Sequence, residues 1–346
     1  MAKKFGNGGC MVLDVIKDKE VWDQFVKNNQ DCLLFHSWAF LEIIEKYSGY
    51  TLIPYGFFDE KKKIIGICPL FIKKYGGLKF VFSQPPKSGI PYIGPIFDSK
   101  YNLLPQHQKE SFFKRAIHDL NTELIINSFR YTSITLIPKY TDIREFVWHG
   151  FSVNCNYSYV FDLKQPLTTI WNNFDTDCRR EIRSAEKSNL KIQETDKIND
   201  FFIILKKRYQ EQKINLPVLN PEYLHSLYAA YPDLIKSYFV YNNEKIINLV
   251  STYQNGSRLT IWKGMVNLDR RIHSNEYLIW EFIKQAQNNG LQQLEIEGAN
   301  VERLCRFKSK FNPSLECNFT VTKSDYIGKL SEYFYLKIIR GGKKFY

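Results

Sequence analysis

The chain has no apolar run that approaches a bilayer span. Its longest, such as residues 201–205, are a few residues long, against the roughly 20 that a membrane helix needs. The first residues, MAKKFGNGGCMV, lack the apolar core of a signal peptide, so the expectation is a soluble chain, at most peripheral to a membrane. Seven cysteines (Cys10, Cys32, Cys68, Cys155, Cys178, Cys305 and Cys317) fall at irregular spacing with no C-x-x-C pair and no histidine cluster beside them. That pattern argues against a zinc site and a secreted disulfide framework, and for a reducing cytoplasm. There is no Ser/His/Asp motif, no metal-spaced histidine pair, no Walker loop and no Rossmann glycine fingerprint. Acidic residues are the minority: 36 Asp and Glu stand against 48 Lys and Arg, a net charge of +12. The excess runs from Lys3 to Lys344, not in a tail, and favours acidic partners: phosphorylated small molecules, nucleic acid or an anionic membrane face.

What is present suits two cores. A chain of 346 residues exceeds the size at which one core keeps growing, and 44% hydrophobic with 16% aromatic content is enough to fill two. Strand-like and helical runs alternate, which argues α/β. Residues 19–26, 37–47 and 106–121 read as helices, and 52–58, 64–72, 78–82 and 134–137 as strands. Residues 57–67 (FFDEKKKIIGI) and 239–249 (FVYNNEKIINL) align without a gap. Each copy is followed by a helix and a short strand, SITLIP in one and QQLEIEG in the other, so the chain reads as two copies of one α/β unit.

Residues 171–192, WNNFDTDCRREIRSAEKSNLKI, place four cations (Arg179, Arg180, Arg183 and Lys187) and an apolar seam on a helix, with a fifth, Lys191, beyond its exit. Asp175 or Asp177 suits its start and Asn189 its left-handed exit. Arg180, Arg183 and Lys187 share one face. Such a face is either solvated or turned to an anion.

The run Arg179-Arg180-Glu181-Ile182-Arg183-Ser184-Ala185-Glu186-Lys187-Ser188-Asn189-Leu190 resembles the signature of the FemABX family of peptidoglycan bridge-forming transferases and their GNAT-type acetyltransferase relatives. A second stretch, residues 285–290 with Gly298 and Arg306-Phe307-Lys308, matches in order and spacing. The resemblance implies an α/β chain of two tandem GNAT-like domains, the acyl-CoA N-acyltransferase fold of mixed sheets flanked by helices. The domains would span 11–165 and 166–323, the second carrying the cleft, with a C-terminal helix over 324–346 returning to the first. It assigns Lys308, the lysine of R-F-K, to charge stabilisation at the reaction centre. Asp98, in Gly94-Pro95-Ile96-Phe97-Asp98, becomes a second catalytic candidate. Lys310, two residues on from Lys308, has no motif match and is expected to be dispensable.

Donor phosphates in such folds sit at a helix N-terminus. Here that is Arg270-Arg271-Ile272-His273-Ser274-Asn275, with Arg270 and Arg271 as cations and Ser274 or Asn275 as cap, although the glycines of the acetyl-CoA pattern are missing. Substrate contacts fall to Arg180, Arg183, Lys213, Tyr253, Trp262 and Glu297. The acceptor-gripping lysine of the family is replaced near Ile43. The implied protein is an acyltransferase with no tightly bound cofactor and no metal. Acyl-CoA or aminoacyl-tRNA is its co-substrate, and an amine of a cell-envelope or surface-glycan precursor its acceptor. Its partners would be a phosphorylated small molecule or a sugar-nucleotide or lipid-linked precursor, and tRNA, in the cytoplasm up to the inner face of the membrane. The rival readings are a non-catalytic tRNA- or RNA-binding protein and a degenerate GNAT scaffold.

Overall fold

The computed structural model describes residues 11–216, 218–326 and 328–329. They fall into two compact units, one holding the residues up to Cys155 and those from Asn318 onward, the other Asn156–Cys317. The first unit contains β1 (Val12–Val15), α1 (Lys19–Lys27), α2 (Trp38–Ser48), β2 (Thr51–Phe58), β3 (Ile64–Tyr75), β4 (Leu78–Phe82), β5 (Ile96–Phe97), α3 (Gln106–Ile126), β6 (Phe129–Thr135) and α4 (Arg144–Trp148). β1 to β4 pair antiparallel in chain order, and α3 then carries the chain to β6, which lies parallel to β4. Residues of Ser314–Ser324 close this sheet antiparallel to β6. Its core gathers around Phe97, with the rings of Phe112, Phe57 and Tyr140 at 5.1, 5.3 and 5.8 Å. Such contacts, edge-on for Phe112 and tilted for Phe57 and Tyr140, add to the area each ring buries.

The second unit repeats the plan. It runs from β7 (Ser152–Asp162) through α5 (Leu167–Asn172), α6 (Thr176–Glu186), β8 (Lys191–Glu194), α7 (Ile198–Glu211), α8 (Pro221–Ala230), β9 (Ile235–Asn242), β10 (Lys245–Asn255), β11 (Arg258–Gly264), α9 (Ser274–Asn288) and β12 (Gln293–Ile296) to α10 (Glu302–Lys308); Ser314–Ser324 is β13. β8 to β11 pair antiparallel in chain order, α9 crosses to β12 parallel to β11, and β7 closes antiparallel to β12. The two hairpins even share a defect. Each carries one extra residue, Ile65 against Phe57/Phe58 and Ile247 against Val240/Tyr241, and these two coincide in the gapless sequence alignment. A bulge is costly to place by chance because it reverses which side chains face the core beyond it. Its recurrence marks two copies of one unit.

Several boundaries differ from expectation. The strand expected at 134–137 is β6, which begins at Phe129 and ends before Pro138, a residue with no N–H to offer a ladder. α3 runs to Ile126, past the expected 121, because Ile125 and Ile126 are exposed at 61% and 70% and so break the apolar periodicity. The basic segment is not one helix. Trp171 lies in α5, and α6 starts afresh at Thr176, where the Asp175 carboxylate accepts from Asp177 N at 2.8 Å. Asn189 does take the left-handed conformation. Of the proposed tail 324–346, Ser324 ends β13 and Asp325 pairs with Arg130 at 2.6 Å; residues 330–346 lie outside the described residues. No helix among the described residues is long and apolar enough to cross a membrane.

Lys310 is the largest departure. Its ammonium donates to Glu276 of α9 at 2.7 Å and also to Glu181 of α6, tying together two helices that share the core of Ile182, Leu278, Ile279 and Phe282. Glu181, His273 and Glu276 bring their ligand atoms within 4.8 Å of one another, and Lys310 supplies the positive charge between the two carboxylates. Burial would lower its pKa, but the two carboxylates more than offset that and hold it above the usual value. Breaking a half-buried network leaves its other members unpaired. Lys310→Met is therefore expected to cost about 2–4 kcal/mol in a denaturant melt; a change within about 0.5 kcal/mol, as for a free surface lysine, would refute the clamp.

Candidate functional site

β11 and β12 are parallel and pair only from Arg258↔Gln293 to Ile261↔Ile296. Their C-terminal ends then part. In α/β sheets this is where side chains and unpaired backbone groups are free to meet a ligand. β11 continues as Trp262-Lys263-Gly264 and β12 as Glu297-Gly298.

Strand periodicity decides what faces the opening. Leu294 and Ile296 enter the apolar core beneath α9, so the alternation of Leu294-Glu295-Ile296-Glu297 turns both carboxylates to the opposite face. On β11, Ile261 pairs with Thr252 and Lys263 with Ser251, which leaves Trp262 as an extra residue. Residues two apart normally share a face. The bulge puts Ile261 in the core and Lys263 on the carboxylate side. Gly264 follows at φ +101°, where an added Cβ would lie 2.5 Å from the Leu249 carbonyl.

Three charged groups converge here. Lys263 Nζ lies 3.7 Å from Glu297 Oε2, with side chains 8% and 22% exposed. Lys308, the last residue of α10, is buried and donates to the main-chain oxygen of Glu297. Gly298 makes that reach available: its φ is +88°, and a Cβ there would sit 3.3 Å from Lys308 Nζ. Burial pushes the Lys308 ammonium down to about 8, against the opposing influence of Glu297 and Cys305. Lys263 is lowered for the same reason, again with Glu297 opposing. The Glu297 carboxyl is pushed up to about 7, burial and the nearby Glu295 outweighing Lys263 and Lys308. Its Oε1 is enclosed and has no hydrogen-bond partner among the described residues. Behind it, Arg258 holds Glu295 at 3.1 Å and Glu316 at 2.6 Å.

The site therefore brings together Lys308, Glu297, Tyr253 and Trp262 from the expected set. Tyr253 and Trp262 are buried and meet edge to face at 5.9 Å, and the Lys263 ammonium stands 5.1 Å from the Trp262 ring centre. Lys263 itself escaped sequence reading.

Other candidates lie elsewhere. Arg180 is exposed and pairs with Asp177 at 2.9 Å, while Arg183 stacks 5.5 Å from the Trp171 ring. Lys213 is exposed at the left-handed exit of α7. Arg271 is held by Asp269 at 2.8 Å and, with Lys245 and Ile272, lines an open cleft of about 700 Å³; Arg270 beside it is exposed. Ser274 and Asn275 do not cap α9, whose N-cap residue is His273. Both side chains accept instead from the buried Asn248 amide, at 2.8 and 2.7 Å, because the bulge at Ile247 sets Asn248 under the helix start. Asp98 belongs to the first unit. Its carboxylate accepts from Lys100 N at 3.0 Å and caps the 3₁₀ turn Ser99–Leu103, which is the ordinary use of aspartate in a turn.

Comparison with known proteins bears on the fold. Residues 172–308 match the family model described as acetyltransferase (GNAT) domain. No curated protein matches the chain by sequence. Among solved structures, FemX is similar over 89% of this chain and 96% of its own, at 12% identity and a TM-score of 0.64. The C-terminal domain of a putative lysylphosphatidylglycerol synthetase from Agrobacterium fabrum is similar over 95% and 98%, at 11% identity and a TM-score of 0.59. A tandem GNAT protein from the clavulanic acid biosynthesis pathway is similar over 91% and 98%, at 8% identity and a TM-score of 0.53. Residues 172–308 thus match a GNAT acetyltransferase domain, and the chain as a whole shares its fold with FemX and with a tandem GNAT protein.

Proposed function

We propose that the protein is an acyltransferase working at the parted ends of β11 and β12. It would move an acyl or aminoacyl group from acyl-CoA or aminoacyl-tRNA to an amine of a cell-envelope or surface-glycan precursor. One observation carries the reading: two buried lysines converge on a partly buried glutamate at the parted strand ends. Burying charge costs stability, and an RNA-binding surface or an inert scaffold has no use for cations that solvent and phosphate barely reach.

A GNAT-type transfer needs no metal and no covalent intermediate. The amine attacks the acyl carbon directly while the protein positions both partners and stabilises the negative oxygen that develops. Lys308 supplies the ammonium for that oxygen, and Tyr253 and Trp262 wall the opening. Arg270 and Arg271, beside the cleft, are the cations for the donor's phosphates. Arg180, Arg183 and Lys213 face solvent and suit an anionic part of the acceptor or donor. Ser274, Asn275 and Asp98 are left out because their polar groups are already engaged. The structural neighbour named as a lysylphosphatidylglycerol synthetase and the net charge of +12 support a phosphate-bearing, lipid-linked acceptor.

Three outcomes are expected. Lys308→Ala should slow the chemical step on the order of 100-fold with substrate binding little changed, and Lys308→Arg should recover part of it; single-turnover assays with an amine acceptor measure this, and full activity of Lys308→Ala would remove the assignment. The double substitution Arg180→Ala with Arg183→Ala should weaken donor or acceptor binding and flatten its salt dependence. Identical titrations at two salt concentrations would mark α6 as a solvated face.

The third outcome concerns stability. A carboxyl whose folded pKa is raised from 4.5 to about 7 favours folding while it is protonated. That contribution is complete below the unfolded pKa and is lost as pH rises through about 7. Compared with Glu297→Gln, the wild-type protein should lose stability between about pH 5 and about pH 7; parallel melting curves across that range would contradict the burial of this charge.

A further inference from the structure

The reading above leaves the proton of the acceptor amine without a destination. The strand ends supply one. The two oxygens of Glu297 have different surroundings: Oε2 faces Lys263 Nζ at 3.7 Å, and Oε1 is enclosed without a hydrogen-bond partner among the described residues. Lys308 does not compete for either, since it donates to the main-chain oxygen of the same residue. At 3.7 Å Lys263 attracts the carboxylate without a hydrogen bond of full strength. A buried acceptor left without a partner beside the parted strand ends calls for an N–H donor.

The charged and titratable groups around Glu297 come from four elements. They are Lys263 from β11, Lys308 from α10, Glu295 two residues earlier on β12, and Tyr209 from α7. Glu295 is already paired with Arg258 at 3.1 Å. Lys263 is thus the cation that acts on the carboxylate group itself, and the bulge at Trp262 is what turns it there.

We propose that Glu297 is the catalytic base, taking the proton of the acceptor amine through Oε1, and that Lys263 is the positioning residue that keeps this carboxylate ionised and Oε1 free. The proposal rests on the acyltransferase reading and names its acceptor class, a basic primary amine. The amine nitrogen adds to the acyl carbon and the C=O electron pair moves onto oxygen, giving an adduct with positive nitrogen and negative oxygen. Oε1 takes the nitrogen's proton. The oxygen's electron pair returns, the C–S bond of a thioester or the C–O bond of an ester breaks, and the released thiolate or alkoxide regains that proton. Two ammoniums beside one unpartnered carboxylate oxygen match the charges of this adduct better than those of either reactant.

The decisive experiment is a carbon-13 NMR titration of Glu carboxyls in the full-length protein, the Glu297 signal being the one that vanishes in Glu297→Gln. Lys263→Met should raise its proton affinity about tenfold or more, and Lys263→Arg, which keeps the charge, should leave it near the wild-type value. An unchanged midpoint in a folded Lys263→Met protein overturns the positioning role. Transfer to methylamine and to the weakly basic methoxyamine tests the base, with acetyl-CoA or an aminoacyl-tRNA as donor. The adduct of a weakly basic amine sheds its proton to water unaided, so Glu297→Gln should lose on the order of 100-fold toward methylamine and far less toward methoxyamine. Equal losses overturn the base. Wild-type protein that acylates neither amine sinks the acyltransferase reading and the base with it, whereas the titration still decides whether Lys263 sets Glu297.

Discussion

Everything at the candidate site follows from one constraint: two parallel strands stop pairing after Ile261 and Ile296. While they are paired, the ladder fixes every backbone group and alternation fixes every side chain. Once they part, Lys263 and Glu297 can lean toward a shared opening. α10 can then bring Lys308 in from the side, past a glycine that offers no Cβ in its way. The apolar face of the same strands stays closed under α9, where Leu294, Ile296 and Ile261 join the core. One face supplies the rigidity and the other carries the charge.

That charge is a burden on the fold. Glu297 is pushed toward its neutral form and Lys308 and Lys263 toward theirs, all by loss of water. A set selected only for stability would replace such a group with packed apolar side chains. The clamp made by Lys310 is the opposite case, since its carboxylates hold the ammonium more firmly charged than water does. Two lysines separated by one serine therefore stand in contrasting electrostatic regimes.

How much of this was legible in the sequence depended on range. The repeated hairpins could be read because strand, polar turn and strand lie within eleven residues, and even the matching bulges fall where the gapless alignment puts them. Lys308 was found through its tripeptide, and Glu297 through its place at the end of the short strand QQLEIEG. Lys263 was not, because its facing depends on an irregularity after Ile261 that no periodicity announces. Ser274 and Asn275 were misread as caps because their true partner, Asn248, is more than twenty residues away, behind a bulge. Lys310 looked idle because its carboxylates come from residues 181 and 276.

The bulge at Trp262 is also where the two hairpin ladders differ. Counted from the hairpin turn, the fifth pair in the first unit is Phe71 with Phe82, in a ladder that never shifts. The fifth pair in the second is Ser251 with Lys263, reached only after Trp262 has been skipped. An ancestral gene doubled and then altered by a single in-frame codon at this point would gain a lysine-bearing face in one half while the other half kept its phenylalanines. The facing of the two ladders thus diverges through one residue, inside a strand and not in a loop.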